Sequence, residues 1–174
     1  CSLLYHIISQ TQKCFLGGNI TVSPFTFWQK LTPQTPVILE LSSWQLRSLE
    51  DADFVFRGFV YTNFLKDHQN HYPDLQSYWG EKKIALKKLD NKSFLIINET
   101  QAEMTDFPQR TTAQIFYHSG SHNNAVSMWP ENQTLWLQNH GAPVSIYDDL
   151  AALPLKGKHN QQNISAAAMA AYAF

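Results

Sequence analysis

Residues 62–86 decide the fold, and they read Thr-Asn-Phe-Leu-Lys-Asp-His-Gln-Asn-His-Tyr-Pro-Asp-Leu-Gln-Ser-Tyr-Trp-Gly-Glu-Lys-Lys-Ile-Ala-Leu. The run before the polar part, residues 54–64, is rich in β-branched and aromatic side chains and predicts a strand. After Pro73 the spacing i, i+3, i+4 predicts a helix, through Leu75, Tyr78, Lys82, Ala85 and Leu86. Strand, polar loop and helix follow one another in open α/β sheets, where loops at the carboxyl ends of strands face the ligand crevice.

The polar loop has the chemistry of a cation site. Asp67 and His68, side by side after a strand, can offer an oxygen and an imidazole nitrogen to a metal ion. Lys82 on the following helix points back at them, and a cation is out of place there unless its charge is changed or it faces a phosphate. Spacing alone leaves the alternative of a solvated turn followed by a surface helix.

A second apolar run, residues 37–41, predicts a buried parallel strand. Glu40 interrupts this run near its carboxyl end. A carboxylate is costly to bury unless it is paired or binds a metal. The run therefore indicates either a metal ligand or a strand-end glutamate that reaches solvent.

Two further segments have the composition of ligand-binding backbone. Paired glycines before Asn19 allow close approach to a ligand, and the Asn side chain can both donate and accept, although an ordinary turn fits as well. Residues 157–163 lead into an alanine-rich segment that predicts a helix with an Asn near its start as the cap. The N-terminus of such a helix also favours a nearby anion.

Composition limits the class of protein. A chain of 174 residues with 44% hydrophobic side chains can form one globular domain with its own core. The net charge of −1 argues against a broad nucleic-acid or membrane patch. Both cysteines, Cys1 and Cys14, lie near the start, which favours a reducing cytoplasm over a disulfide framework. Apolar runs stay below the ~18 residues of a membrane span.

The remaining pattern completes an α/β fold with a mostly parallel sheet, flanking helices and a small antiparallel addition. Buried strands are predicted at residues 93–98 and 114–118. Residues 125–129 and 134–138 alternate as antiparallel strands, with Pro130-Glu-Asn as their turn. The histidines without ligand-like spacing are expected to be structural, namely His118, His122 and His140.

Three motifs, in order along nearly the whole chain, resemble those of the Mur ligase family. The first is Glu40-Leu-Ser-Ser-Trp-Gln-Leu. The second is Asp67-His68-x-x-His71-Tyr72, followed by Tyr78-x-x-x-Lys82. The third is Gly157-x-His-Asn-x-x-Asn before the alanine-rich helix. The resemblance is strongest to the type that adds D-glutamate to UDP-N-acetylmuramoyl-L-alanine.

The resemblance implies site residues. Glu40 and His68 would bind two Mg²⁺ ions, and CO₂ would carbamylate Lys82, which turns that cation into an anion able to hold Mg²⁺; Lys83 is the alternative if the register shifts by one. The residues implied to contact the muramoyl substrate are Asn19, Ser42 and Gln45. Those implied to surround ATP are Asn163 at the adenine, with His159 and Asn160. Two positions depart from the family pattern and receive no role, His71 and Arg47.

The resemblance also implies a domain and an activity. Residues 1–174 correspond to the central ATP-binding domain, P-loop NTPase-like and beginning just after the phosphate loop, because the sequence contains no Gly-Lys-Ser/Thr loop. The parent enzyme would work in peptidoglycan synthesis. ATP phosphorylates the substrate carboxylate, the amine of D-glutamate attacks, and ADP and phosphate leave. Without the N- and C-terminal domains and the phosphate loop, this chain alone is expected to be inactive.

Two other functions stay open at this point. One is a related amide ligase, either another Mur ligase or a folylpolyglutamate synthetase. The other is a nucleotide-binding or interaction module that has lost catalysis. The reading frame upstream of Cys1 would discriminate between them, since a Gly-Lys-Ser/Thr loop there restores the enzyme.

Overall fold

The computed structural model describes residues 1–20, 22–65, 72, 74–120 and 125–174. Contacts divide the chain into two compact units. The first comprises Cys1–Asp53 and His68–Ile84, and the second comprises Phe54–Asp67 and Ala85–Phe174. None of the described helices has the length and apolar content needed to cross a membrane.

The first unit combines a two-stranded parallel sheet with three helices. The strands are β1 (Phe15–Gly18) and β2 (Val37–Glu40). The helices are α1 (Ser2–Ser9), α2 (Ser43–Ser48) and α3 (Leu75–Lys82), with 3₁₀ turns at Pro24–Thr26 and Trp28–Lys30. Helix α1 ends at Ser9, and the N–H groups of Thr11 and Gln12 just beyond it both donate to the Ile8 carbonyl.

The second unit is built on a six-stranded sheet whose strands lie in chain order. The strands are β3 (Gly58–Val60), β4 (Phe94–Asn98), β5 (Gln114–His118), β6 (Ser127–Glu131), β7 (Thr134–Gln138) and β8 (Val144–Tyr147). Strands β3 to β6 are parallel, whereas β7 and β8 are antiparallel to their neighbours. This arrangement confirms the predicted fold class, including the antiparallel addition.

The core of the second unit lies between its sheet and one long helix, α4 (Lys158–Ala173), which packs across β3 to β6. All five residues of β4 are buried, as expected for a parallel strand written as a continuous apolar run. The helix buries mainly alanines and Met169, and small side chains let it approach the sheet closely. Short 3₁₀ helices complete the chain at Lys83–Lys88, Ala102–Met104, Phe107–Arg110 and Leu150–Ala152.

In the second unit, one predicted strand and one predicted turn differ from the structure. The strand predicted over residues 54–64 is only three residues long. Before it, the Phe54 ring packs on Phe56 and the Phe56 ring on Phe59, and the Phe56 N–H donates to the Lys88 carbonyl outside the strand ladder. The β6–β7 turn lies at Asn132 and Gln133, two residues beyond the predicted start of the turn. These two residues have positive φ angles of 50° and 67°, which a two-residue hairpin turn requires.

Candidate functional site

The carboxyl ends of β1 and β2 bring two predicted site residues together. Gly18 lies opposite Glu40 in the parallel register, and the backbone N–H of Asn19 donates to the Glu40 carbonyl at 2.8 Å. Gly18 has a φ of +97°, and a Cβ there would stand 2.1 Å from the Glu40 carbonyl oxygen. The approach of this glycine pair to a ligand stays a prediction, while Gly18 admits the backbone of β2. That contact fixes Asn19 beside Glu40.

The start of α2 brings Ser42 and Gln45 together. The Ser42 hydroxyl accepts the backbone N–H of Gln45 at 3.3 Å, and the Gln45 Oε1 accepts the Ser42 N–H at 2.9 Å. This reciprocal pair is a capping box, which satisfies two N–H groups at the helix start. Both residues therefore have a structural contact, while their predicted contacts with a muramoyl substrate stay predictions.

Lys82 is the last residue of α3, and its neighbour Lys83 follows directly. The Lys82 Nζ lies 4.9 Å from the centre of the Tyr78 ring, and the Lys83 Nζ lies 5.5 Å from the Trp79 ring. Both ammonium groups thus stand over aromatic faces, which attract cations. The two lysines contact different rings. Substitution of one or the other can therefore test which of them is carbamylated.

A hydrogen-bonded chain links α2 to α3 through Tyr72. The Tyr72 hydroxyl lies 2.5 Å from a Glu81 carboxylate oxygen and 2.8 Å from the Ser43 hydroxyl. Burial raises the pKa of the Tyr72 phenol, and the hydrogen bond to Glu81 acts in the same direction. Sequence reasoning missed Ser43 and Glu81, because partners 29 and 9 residues from Tyr72 have no periodic signal in one sequence.

The fit of the predicted magnesium site rests on Glu40 and Lys82, since His68, Asp67 and His71 lie outside the described residues. Within the described part of the chain no cluster of three or more His, Cys, Asp or Glu residues is placed to hold a metal ion. Mg²⁺ commonly takes only one or two protein carboxylates together with water and phosphate oxygens, so Glu40 at a strand end suits it. Lys82 suits it only as a carbamate, because an ammonium has no lone pair to donate.

The residues predicted to surround ATP lie at the start of α4. The N-cap is Gly157, with a φ of +93°, and not an Asn as the sequence predicts. The Asn160 amide instead donates to the Lys156 carbonyl at 2.8 Å. His159 is exposed, while Asn163 is half-buried one turn further along the helix. The structure thus gives Asn160 a structural contact and leaves His159 open to solvent.

A cleft of about 320 Å³ opens beside this helix start. Across it, the Gln161 amide donates to Gln133 Oε1 at 3.1 Å, which ties α4 to the β6–β7 turn. Its lining residues are Gln133, Leu150, Ala151, Leu155, Lys156, Gly157, Lys158 and Gln161. The cleft therefore combines apolar side chains, amide groups and two lysines, of which Lys156 donates to the Ala151 carbonyl.

A buried polar cluster lies at the carboxyl ends of β4 and β5. The His118 Nε2 lies 3.0 Å from the Tyr61 carbonyl, and its Nδ1 lies 2.7 Å from the Ser119 hydroxyl. Because a carbonyl only accepts, Nε2 carries the proton and Nδ1 accepts. Burial lowers the His118 pKa to about 4, with the bond to Tyr61 opposing it. Beside it, the Asn98 amide donates to the Thr62 carbonyl at 2.8 Å.

Parallel strands with polar side chains at their carboxyl ends are typical of α/β proteins that bind ligands at that edge of the sheet. The chain belongs to the Mur ligase family, since the model of the Mur ligase middle domain matches residues 19–171. This match confirms the resemblance seen in the three motifs.

Curated relatives agree with this assignment. The chain is 39% identical over 100 residues to a UDP-N-acetylmuramoylalanine--D-glutamate ligase of Borreliella afzelii. This alignment covers 57% of the chain and 20% of that protein. It is 27% identical over 167 residues to the enzyme of the same name from Clostridium kluyveri, covering 95% of this chain and 35% of that protein. The chain thus spans a fifth to about a third of the length of these relatives.

Solved structures share the fold. MurF from Acinetobacter baumannii superimposes with a TM-score of 0.66 at 15% identity, over 98% of this chain and 39% of that one. The MurF ligase of Thermotoga maritima, solved in complex with ADP, gives 0.64 at 11% identity, over 97% of this chain and 40% of that one. At such identities the likeness concerns the fold.

Proposed function

We propose that this chain is the middle domain of an ADP-forming ligase of peptidoglycan synthesis. The enzyme would add D-glutamate to UDP-N-acetylmuramoyl-L-alanine in the cytoplasm. The observation that supports it most is the β1–β2 register, which sets Asn19 beside Glu40 within the stretch that the family model matches. The relatives named for this reaction support the choice of D-glutamate.

The reaction needs a site that activates a carboxylate and then admits an amine. The γ-phosphoryl group of ATP passes to the carboxylate of the muramoyl-alanine, which gives an acyl phosphate and ADP. The neutral amine of D-glutamate then attacks the acyl carbon and gives up one proton, an amide bond forms, and phosphate leaves with the electrons of the broken C–O bond. Asn19, Ser42 and Gln45 would orient the muramoyl-alanine so that its carboxylate meets the phosphoryl group.

Glu40, His68 and a carbamylated Lys82 would hold two Mg²⁺ ions. When bound, Mg²⁺ supplies neutralisation of the charge on the transferring phosphoryl group. The Lys82 ammonium first loses a proton; the neutral amine then adds to CO₂ and loses a second proton, so that a negative charge replaces a positive one. Asn163 would contact the adenine of ATP, with Asn160 and His159 around the nucleotide.

The test compares Lys82→Ala with Lys83→Ala in the full-length reading frame that contains this sequence. ADP release is measured with ATP, UDP-N-acetylmuramoyl-L-alanine and D-glutamate, and the carbamate is detected by carbon-13 NMR after equilibration with labelled bicarbonate. We expect Lys82→Ala to abolish both signals and Lys83→Ala to retain both. The reverse result moves the assignment to Lys83, and ligation of another amino acid in preference to D-glutamate overturns the proposed substrate.

A further inference from the structure

Tyr72 forms the centre of a hydrogen-bonded chain with a defined direction. The carboxylate of Glu81 can only accept, so the Tyr72 hydroxyl donates to it across 2.5 Å. With its proton committed, the same hydroxyl accepts from the Ser43 hydroxyl at 2.8 Å. A hydrogen bond to an ionised acceptor is stronger than a neutral one, so the Glu81 end is the tighter of the two.

The two ends of this chain lie next to predicted site residues. Ser43 is only 5% exposed and follows Ser42, the capping residue of α2. Glu81 directly precedes Lys82 on α3. The hydrogen bonds thus tie the helix that follows Glu40 to the helix that carries the predicted carbamate.

The ring of Tyr72 makes a second contact with the same helix. It lies 5.1 Å from the Tyr78 ring at an interplanar angle of 46°. Tyr78 also contacts the Lys82 ammonium, which lies 4.9 Å from its ring centre. Tyr78 is itself 5% exposed, so the ring that supports Lys82 is held on one side by Tyr72.

We infer that Tyr72 is a positioning residue for the ligation site, an inference that rests on the proposed function. Its hydroxyl holds α2 and α3 in one arrangement, so that Ser42 and Lys82 keep their places without reorganising during turnover. A displacement of about 1 Å in such a site can cost on the order of 100-fold in rate. Tyr72 acts through Lys82 and Ser42 and needs no contact with the substrate.

The experiment uses Tyr72→Phe in the full-length reading frame, which keeps the ring and removes the hydroxyl. We expect turnover to fall by about 10- to 100-fold while KM for ATP changes by less than about twofold. The Lys82 carbamate signal at limiting bicarbonate is expected to fall in parallel. Glu81→Gln keeps an oxygen that accepts from Tyr72, so its loss should be smaller. Tyr72→Phe combined with Glu81→Gln should lose no more than Tyr72→Phe alone, because both act on one contact.

The matched control is Tyr172→Phe, which removes a phenol that accepts the Asn139 amide at 2.8 Å in the second unit. This variant should keep both turnover and carbamate. If Tyr72→Phe only lowers the melting temperature, with unchanged turnover per folded molecule, the positioning role is wrong. If the wild-type protein neither ligates nor forms a carbamate, the proposed function fails instead, and the positioning role fails with it.

Discussion

Gly18 shows how much of the predicted site depends on one residue without a side chain. Its φ of +97° lies in the left-handed region, and the Glu40 carbonyl occupies the space where a Cβ would lie. Glycine is therefore required twice, for the backbone angle and for the approach of β2. This close approach of the two strands allows the N–H of the next residue, Asn19, to donate a hydrogen bond to the Glu40 carbonyl.

Gly18→Ala should destabilise the first unit by at least about 2 kcal/mol, because strain at positive φ adds to a clash with backbone. Chemical denaturation followed by circular dichroism measures this loss. The same variant should lose most ligase activity, since Glu40 and Asn19 separate.

Gly80→Ala is the control for that substitution. Gly80 is exposed on α3, and a Cβ there would meet no heavy atom of the described residues within 4 Å beyond its own stretch of helix. Alanine favours a helix over glycine, so this variant should gain about 0.5–1 kcal/mol. A Gly18→Ala protein as stable as Gly80→Ala would show that β2 can retreat from β1 at little cost.

At the residue scale, the sequence indicates which residues are candidates for the site better than it indicates which residues contact one another. Glu40 at a strand end and Lys82 on a helix follow from local pattern and from the family motifs. The bond between Ser43 and Tyr72 spans 29 residues, and nothing in the spacing of either residue specifies the other. Long-range pairs of this kind arise from how helices pack, which one sequence does not encode as a period.

Among the elements, α2 unites a structural role and a predicted binding role in the same two side chains. Its capping box uses the Gln45 side-chain oxygen and leaves the NH₂ group of that amide available. The helix is only six residues long, so its N-terminal contacts weigh heavily in its stability. Stability and substrate affinity must therefore be separated by the choice of substitution.

Gln45→Glu achieves this separation. A carboxylate still accepts the Ser42 N–H and favours the helix N-terminus, so the melting temperature should stay near that of the wild type. The NH₂ donors are lost, so KM for the muramoyl substrate should rise by about tenfold or more, as for a lost hydrogen bond to a charged group. Gln45→Ala should show the same rise in KM together with a loss of about 1 kcal/mol. Unchanged KM in both variants would remove Gln45 from the substrate site.

The elements predicted best are those written as continuous apolar runs. Such runs indicate the parallel strands β2 and β4. Strand β4 is buried throughout, as expected for a parallel strand covered on both faces, whereas β2, although predicted to be buried, is only half-buried, with Val37 exposed. Strand β8 has no such signal, since all four of its residues are exposed. Helix α4 begins at Lys158, six residues before the alanine-rich segment that starts at residue 164. The sequence does not indicate this earlier start, because the polar first turns lack apolar periodicity.

Over the whole molecule, the predicted site residues divide between the two units. The metal and muramoyl residues that the structure describes belong to the first unit, and the nucleotide residues belong to the second. The second unit contains the larger sheet and the helix α4 that covers it. Its stability depends on buried polar groups at the carboxyl edge of the sheet as well as on apolar packing.

His118 makes that stability dependent on pH. It is fully buried and neutral, with a pKa lowered by burial from 6.5 to about 4. Between these two values the unfolded chain binds a proton that the folded chain does not, so stability rises with pH in this window. The contribution is complete above about pH 6.5, and it is lost as pH falls toward 4.

Urea denaturation from pH 4 to pH 8 measures the effect, which should reach at most about 3 kcal/mol for a pKa difference of this size. His118→Gln lacks the titrating group, so it should be less stable at pH 8 and show a flatter profile between pH 4 and 6.5. His6→Gln, at an exposed position on α1, should keep the steep wild-type profile. If His118→Gln keeps the wild-type slope of stability against pH, water reaches the His118 ring in the wild type and keeps its pKa near the ordinary value. A flatter slope would show that the buried imidazole, bonded to Tyr61 and Ser119, stabilises the folded chain only while it is neutral.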